Sequence, residues 1–243
     1  MNNVVDALQW LTTEDNWWGE SGILNRLWEH VQYSFWATLL AAAIALPIGL
    51  LIGHTGRGVF VGVNLSGLAR AIPTLAVVIL VYKLRPLTAW PVVLALTLLA
   101  APPILANTVA GIRGVDPDVR DAAEGMGMTG RTVLWRAELP IALPLVFAGV
   151  RSAANQVIAT ATVAAYAGLG GLGRFITDGY ALRRYDEVFG GAILIVALVF
   201  VVEGVLALVQ RMLVSPGLRR ERQPFALLPS RASAPIPELE PLT

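Results

Sequence analysis

The chain has 243 residues, of which 56% are hydrophobic and 14% charged, with a formal net charge of +1 and a mean hydropathy of +0.64. Such a balance excludes an ordinary soluble domain. The dispersed, near-neutral charge argues against a nucleic-acid surface, and the lack of cysteine excludes disulfides and thiolate metal sites. Several uncharged runs reach the roughly 20 apolar residues that a helix needs to cross a bilayer, so the expected class is an all-α membrane protein. His30 and His54 are too few and too far apart for a metal site, and no metal is expected.

Residues 1–31 are polar and acidic and carry Trp10, Trp17, Trp18 and Trp28. Indole rings favour the headgroup zone. Val4, Val5, Leu8 and Leu11 recur at helical spacing, which predicts a short amphipathic helix on the outer membrane surface. No cleavable signal is expected, because a basic start and an apolar core are both missing there. The first predicted span is Tyr33–Gly53, with Pro47 inside it. The second is Gly58–Tyr82, interrupted by Arg70, and the third lies within Pro86–Ile112, which bears Pro86, Pro91, Pro102 and Pro103. Pro73 and the Pro102–Pro103 pair are expected to bend or unwind their helices.

A charged island follows, with nine charges between Arg113 and Glu138. A fourth span is predicted from Leu139 to about Ala167 with Arg151 inside it, and then a run holding Gly168, Gly170, Gly171 and Gly173. A mixed-charge connector leads to the fifth span, Val188 to about Leu213, which contains Glu203. Residues 214–243 are rich in Pro, Arg and Ser and read as a disordered tail. Five spans put the two ends on opposite sides. Ten basic residues on the side of the island against six on the other place the island and the C-terminus in the cytoplasm and the N-terminus outside. No internal repeat is evident, so any symmetry must come from a second chain.

Within the island, Asp116 or Asp118 suits a helix start, because a short carboxylate accepts the free backbone N–H groups there. Asp121 sits where the helix dipole favours an acid, Ala122 and Ala123 leave a shallow surface, and Gly127 permits a turn at low steric cost. Gly130 offers a second break, a further short helix is predicted over 131–138, and Pro140 fits the first turn of the next span.

Asp121-Ala122-Ala123, three residues, Gly127, nine residues, Ala137, one residue and Leu139-Pro140 resembles the loop signature of permease subunits of binding-protein-dependent ABC importers. The spacing is kept throughout; Asp121 stands for the usual Glu and Ala137 for the usual Ile. The resemblance covers about residues 31–213, giving a transmembrane domain over 32–213 with its coupling loop at 113–138. It implies that Asp121, Ala122, Ala123, Gly127, Leu139 and Pro140 form the element that docks an ATPase subunit. It also implies a second permease copy, identical or related, an external solute-binding protein and a multi-pass location in a bacterial inner membrane. ATP and Mg would then sit on the partner ATPase, and this chain would bind no cofactor. The stretch Ala69–Ala76 and the glycine run followed by Phe175-Ile176 resemble the osmoprotectant branch, which implies glycine betaine or a related quaternary amine as solute. A permease for methionine or another amino acid, a stand-alone secondary transporter or channel, and a membrane-embedded enzyme are the rival readings.

Arg70 and Arg151 stand inside apolar runs, where a charge costs roughly 2.5–3.5 kcal/mol on insertion scales and must face protein or water. Each either borders a translocation path or ties helices together, Glu203 being one partner open to them. Pro73, Thr74, Asn107, Asn155 and Gln156 complete the candidate path residues. The glycine run lacks the Lys-Ser/Thr ending of a phosphate loop and is expected to allow close packing or a bend at the outer mouth. No catalytic residue is expected, because neither histidine has a nucleophile at a recognisable spacing.

Overall fold

The computed structural model describes residues 3–58, 80 and 90–214, and every regular element among them is helical. Apart from Gly58 and Leu80, the predicted second span, with Arg70, Pro73 and Thr74, lies outside the described residues, as does the tail from residue 215. In chain order the helices are α1 (Asn3–Thr12), α2 (Ile23–Thr55), α3 (Trp90–Arg113), α4 (Pro117–Gly125), α5 (Gly130–Ala161), α6 (Gly173–Ala181) and α7 (Tyr185–Leu213). Four of them, α2, α3, α5 and α7, are long and apolar enough to cross a membrane.

At 33 residues α2 is about 50 Å long, well beyond the roughly 30 Å of a hydrocarbon core. It starts at Ile23, not at Tyr33, so the end of the expected 1–31 segment belongs to this helix. Absence of charge marks where a helix crosses the bilayer. It does not mark where the helix begins, and Arg26, Glu29 and His30 occupy turns that the hydropathy reading assigned elsewhere. Prolines end nothing here either: Pro47 lies within α2, and Pro102 and Pro103 lie within a continuous α3. Of the bend or unwinding expected at this pair, the unwinding does not occur.

Small residues set the packing. Ala37, Ala41, Ala45, Gly49 and Gly53 recur at every fourth position of α2 and are all buried, which is the spacing that lets helix backbones approach closely. A Cβ at Gly49 would stand 2.8 Å from Thr108 Cβ, and one at Gly53 would stand 2.7 Å from Ile112 Cβ, so α2 lies hard against α3. On its other side α3 meets α5, where Gly149 accommodates Asn107 and Gly111 accommodates Ala142. The core is thus centred on α3, with Val92, Leu96, Ala100 and Ile104 fully buried. Outermost is α7, packed on α5, α6 and α1.

The N-terminal helix docks instead of lying free. Ala7 and Trp10 are buried, and the Trp10 ring packs on Gly190 of α7 and meets Phe175 of α6 edge-on at 5.0 Å. Val4, Val5 and Leu8 remain exposed on the opposite face.

Candidate functional site

Between α3 and α5 hangs a compact loop whose local structure follows from its sequence. The Asp116 carboxylate accepts the Asp118 N–H at 2.9 Å, and Pro117 fills the first helical position of α4. The far end closes in a Schellman arrangement: Met128 N–H bonds the Ala123 carbonyl at 3.2 Å and Gly127 N–H bonds that of Glu124 at 2.8 Å. Gly127 occupies the left-handed position at φ +83°, so the glycine is required by backbone geometry. Asp121 and Ala122 are exposed. Ala123 is buried, so of the two alanines expected to form one shallow surface, one faces out and the other anchors the loop. Val119, Met126 and Trp135 are also exposed here, Met126 by 72%, and give the loop an apolar outer surface that the motif alone does not announce.

After Gly130 the chain does not form a separate short helix. Residues 130–161 run as one helix through a π-turn at Leu134–Glu138, closed by Leu139 N–H on the Leu134 carbonyl. Pro140 therefore stands in the first turn of the regular α-helical stretch Leu139–Ala161, as its missing N–H suits, while the π-turn joins that stretch to the turn from Gly130 in one continuous helix. The π-turn inserts one extra residue immediately before Pro140, whose missing N–H cannot continue the regular ladder.

That turn holds Glu138, 1% exposed with both carboxylate oxygens occupied. Arg120 of α4 forms an ion pair with Oε1 at 2.9 Å, and His54 Nδ1–H of α2 donates to Oε2 at 2.7 Å. Arg120 also donates to the Ile112 carbonyl at the end of α3. One buried carboxylate and one arginine thus fasten the loop to the ends of α2, α3 and α5. Such a buried charge is tolerated only because it is paired. Sequence reasoning missed Glu138, Arg120 and His54; the available signal was a carboxylate flanked by Ala137 and Leu139 at the mouth of an apolar run.

At the opposite end of the bundle, Thr162–Ala167 forms a 3₁₀ segment leading into the glycine run. Gly168 and Gly171 have φ values of +77° and +92°. Glu29 of α2 accepts the Gly171 N–H at 2.7 Å and pairs with Arg26 at 3.0 Å, while His30 Nε2 bonds the Ile158 carbonyl at 3.0 Å. A Cβ at Gly170 would overlap the Glu29 carboxylate, and one at Gly173 would overlap the Thr162 carbonyl. Close approach is therefore what these glycines supply. Gly173→Ala is expected to cost about 1–3 kcal/mol through overpacking and to lower the thermal midpoint of the purified complex by several degrees. Gly204→Ala, with nothing within 4 Å of its Cβ, is the control expected to leave that midpoint unchanged or raised.

Midway along the spans, Arg151 of α5 meets Glu203 of α7. Nε donates to Oε1 at 2.9 Å, Nη2 reaches the same oxygen, Nη1 donates to Gln210 Oε1 at 2.9 Å, and Asn155 donates to Glu203 Oε2 at 3.0 Å. The structure therefore joins Arg151 and Asn155 in a clasp between α5 and α7. Both partners of the ion pair remain 30% exposed. Beside it α5 presents Ala148, Ser152 and Ala159 outward, with Gln156 half-buried. A charged, small and polar face midway along helices long and apolar enough to cross a membrane must meet protein or water, because lipid cannot solvate it. Asn107 is not on that face: its amide donates to the Pro103 carbonyl at 2.8 Å and packs against Gly149. No group of three or more His, Cys, Asp or Glu side chains suited to a metal occurs among the described residues.

Comparison with known proteins connects this geometry to a family. Residues 32–220 match the family described as the binding-protein-dependent transport system inner membrane component. The carnitine transport permease protein OpuCB of Listeria monocytogenes is 34% identical over 201 residues, 83% of this chain and 92% of that one. The choline transport system permease protein OpuBB of Bacillus subtilis is 31% identical over 83% of this chain and 93% of its own. The osmoprotectant import permease protein OsmW of Salmonella typhimurium is 31% identical over 79% and 91%. Among solved structures, an inward-facing form of the MetNI methionine ABC transporter superposes with a TM-score of 0.69, at 18% identity, over 79% of this chain and 96% of that one. At that identity the likeness concerns the fold.

Proposed function

This chain belongs to the inner membrane components of binding-protein-dependent transport systems, and from that premise we propose that it forms the translocation path of an ATP-driven importer for glycine betaine, carnitine, choline or a related quaternary amine. The observation that carries the substrate class is the 30–34% identity, over four fifths of the chain, to permeases named for those solutes. As a member of this family it is a transport subunit working with an ATPase and a solute-binding protein. A second permease copy, identical or related, completes the path, and ATP and Mg are held by the ATPase. The loop around α4 lies in the cytoplasm with the C-terminus, and the N-terminus lies outside in contact with lipid.

In this reading Asp121, Ala122, Gly127, Val119, Met126 and Trp135 form the face that meets the ATPase. Ala123 and the Arg120–Glu138–His54 node hold that face to the spans, and Leu139 and Pro140 pass its movement into α5. A change in the ATPase then alters contacts on α4, and the ends of α2, α3 and α5 move with it as one body. Two states separated by different contacts are what such a transition requires. The α5 face of Ser152, Asn155 and Gln156 borders the path. Arg151, neutralised by Glu203, keeps α5 and α7 together without presenting an unpaired positive charge to a cationic solute.

The test is uptake by proteoliposomes holding this permease, its ATPase and its binding protein. ATP-dependent accumulation of radiolabelled quaternary amine, uncompeted by methionine, is the expected result. Accumulation of methionine instead would move the chain to the amino-acid reading, and accumulation by the permease alone would make it a secondary transporter or channel.

A further inference from the structure

At the end of the bundle opposite α4, the N-terminal segment folds against the starts of α2, α6 and α7 and leaves an open cavity of about 230 Å³. Three of its walls are aromatic: Trp10, Trp18 and Phe175. Two carboxylates, Asp15 and Glu187, line it as well, with Asn16, Ser21 and Gly22. Trp10 and Phe175 are fixed by their edge-on contact, and the Asn16 amide donates to the Trp10 carbonyl at 2.8 Å. Trp18 is 65% exposed, so an indole face stands open at the rim. Glu187 is already paired with Arg184, whereas Asp15 has no hydrogen bond or ion pair among the described residues. The first 25 residues hold four carboxylates and neither Lys nor Arg, so the surroundings of the cavity carry a negative potential that draws cations.

We infer that this cavity is a binding site for a quaternary ammonium group, the cation lying against Trp18 and Trp10 with Asp15 as counter-charge. The chemistry selects that cation over others. A quaternary ammonium spreads its charge over methyl groups that donate no hydrogen bond, so it is held by aromatic faces and a nearby carboxylate. A metal ion needs a close shell of oxygens, and a primary ammonium needs three acceptors. Aromatic walls provide neither. The identity of the amine rests on the osmoprotectant reading above; the class rests on the cavity itself. The same headgroup chemistry is offered by a free solute and by phosphatidylcholine, and the site accepts either source.

Binding of radiolabelled choline is measured on the permease–ATPase complex without binding protein or ATP, in nanodiscs of phosphatidylglycerol and phosphatidylethanolamine. Saturable binding is expected, weakened about tenfold or more by Trp18→Leu and by Asp15→Asn. Both residues are exposed, so neither change threatens folding. Tetramethylammonium should compete, and 3,3-dimethylbutanol, the neutral counterpart of choline in shape, should not. Loss of choline binding when phosphatidylcholine is added to the disc assigns the site to lipid; persistence assigns it to free solute, and both support a quaternary ammonium site. No saturable binding, binding indifferent to both substitutions, or equal competition by the neutral alcohol would overturn the inference. Quaternary-amine uptake that persists beside any of those results leaves the importer reading standing, and choline bound here by a complex that transports no quaternary amine removes that reading alone.

Discussion

Replacing Glu138 with alanine is expected to abolish solute uptake and to cost the assembled transporter about 3–5 kcal/mol, the usual penalty for removing one partner from a buried ionic group. The carboxylate is 1% exposed and joins Arg120 to His54, so its loss strands a guanidinium and an imidazole at the junction of four helices. Glu138→Gln separates support from coupling. The amide keeps the size of the side chain and can still accept from Arg120 and donate to His54, but the ionic attraction to Arg120 is gone. The ATPase should therefore remain bound and continue to hydrolyse ATP, while uptake per ATP falls tenfold or more because α4 no longer drags α5 with it. Uptake and hydrolysis are measured on the same proteoliposomes, with the thermal midpoint as the measure of folding. If uptake per ATP stays at the wild-type value in Glu138→Gln, the node supports the fold and transmits nothing.

Much of this architecture is readable from short-range pattern. The uncharged runs give the spans because a bilayer tolerates little else. Asp116, followed by Pro117, gives the start of α4, and Gly127 gives its end, since each acts on backbone groups two to four residues away. The seam of Ala37, Ala41, Ala45, Gly49 and Gly53 was equally available, being small residues at one period. What escaped depends on pairs distant in sequence. Glu138 meets a histidine 84 positions away, and Gly171 meets a glutamate 142 positions away, and no local pattern brings such residues together. His30 and His54, unremarkable as a metal pair, turn out to fasten the two ends of α2. Prolines were legible in part. Pro140 stands in the first turn of the regular stretch Leu139–Ala161, as its missing N–H suits, but a π-turn joins that stretch to Gly130, and Pro102–Pro103 leave α3 unbroken.

Gly127→Val is expected to release the ATPase and to reduce uptake at least tenfold, and the cause is conformational. No atom lies within 4 Å of a Cβ built at this position, so steric room is not limiting in the chain itself. The obstacle is φ +83°, a left-handed conformation that costs an L-residue about 1–2 kcal/mol and more for a β-branched one. Escaping it breaks the bonds from Met128 and Gly127 to the Ala123 and Glu124 carbonyls, and the exposed face of Asp121, Ala122 and Met126 loses its shape. Gly127→Asn should retain most activity, because asparagine tolerates the left-handed region. Gly125→Ala, where nothing lies within 4 Å and φ is ordinary, should behave as wild type. Met126→Glu leaves the backbone intact and changes only the exposed surface, so loss of the ATPase in that variant locates the contact on this face. The measurement is co-purification of the ATPase with each variant, alongside its thermal midpoint. Retention of the ATPase by both Gly127→Val and Met126→Glu would place the dock elsewhere on the chain. Release by Gly127→Val alone would make the shape of α4, and not its apolar surface, the feature the ATPase recognises.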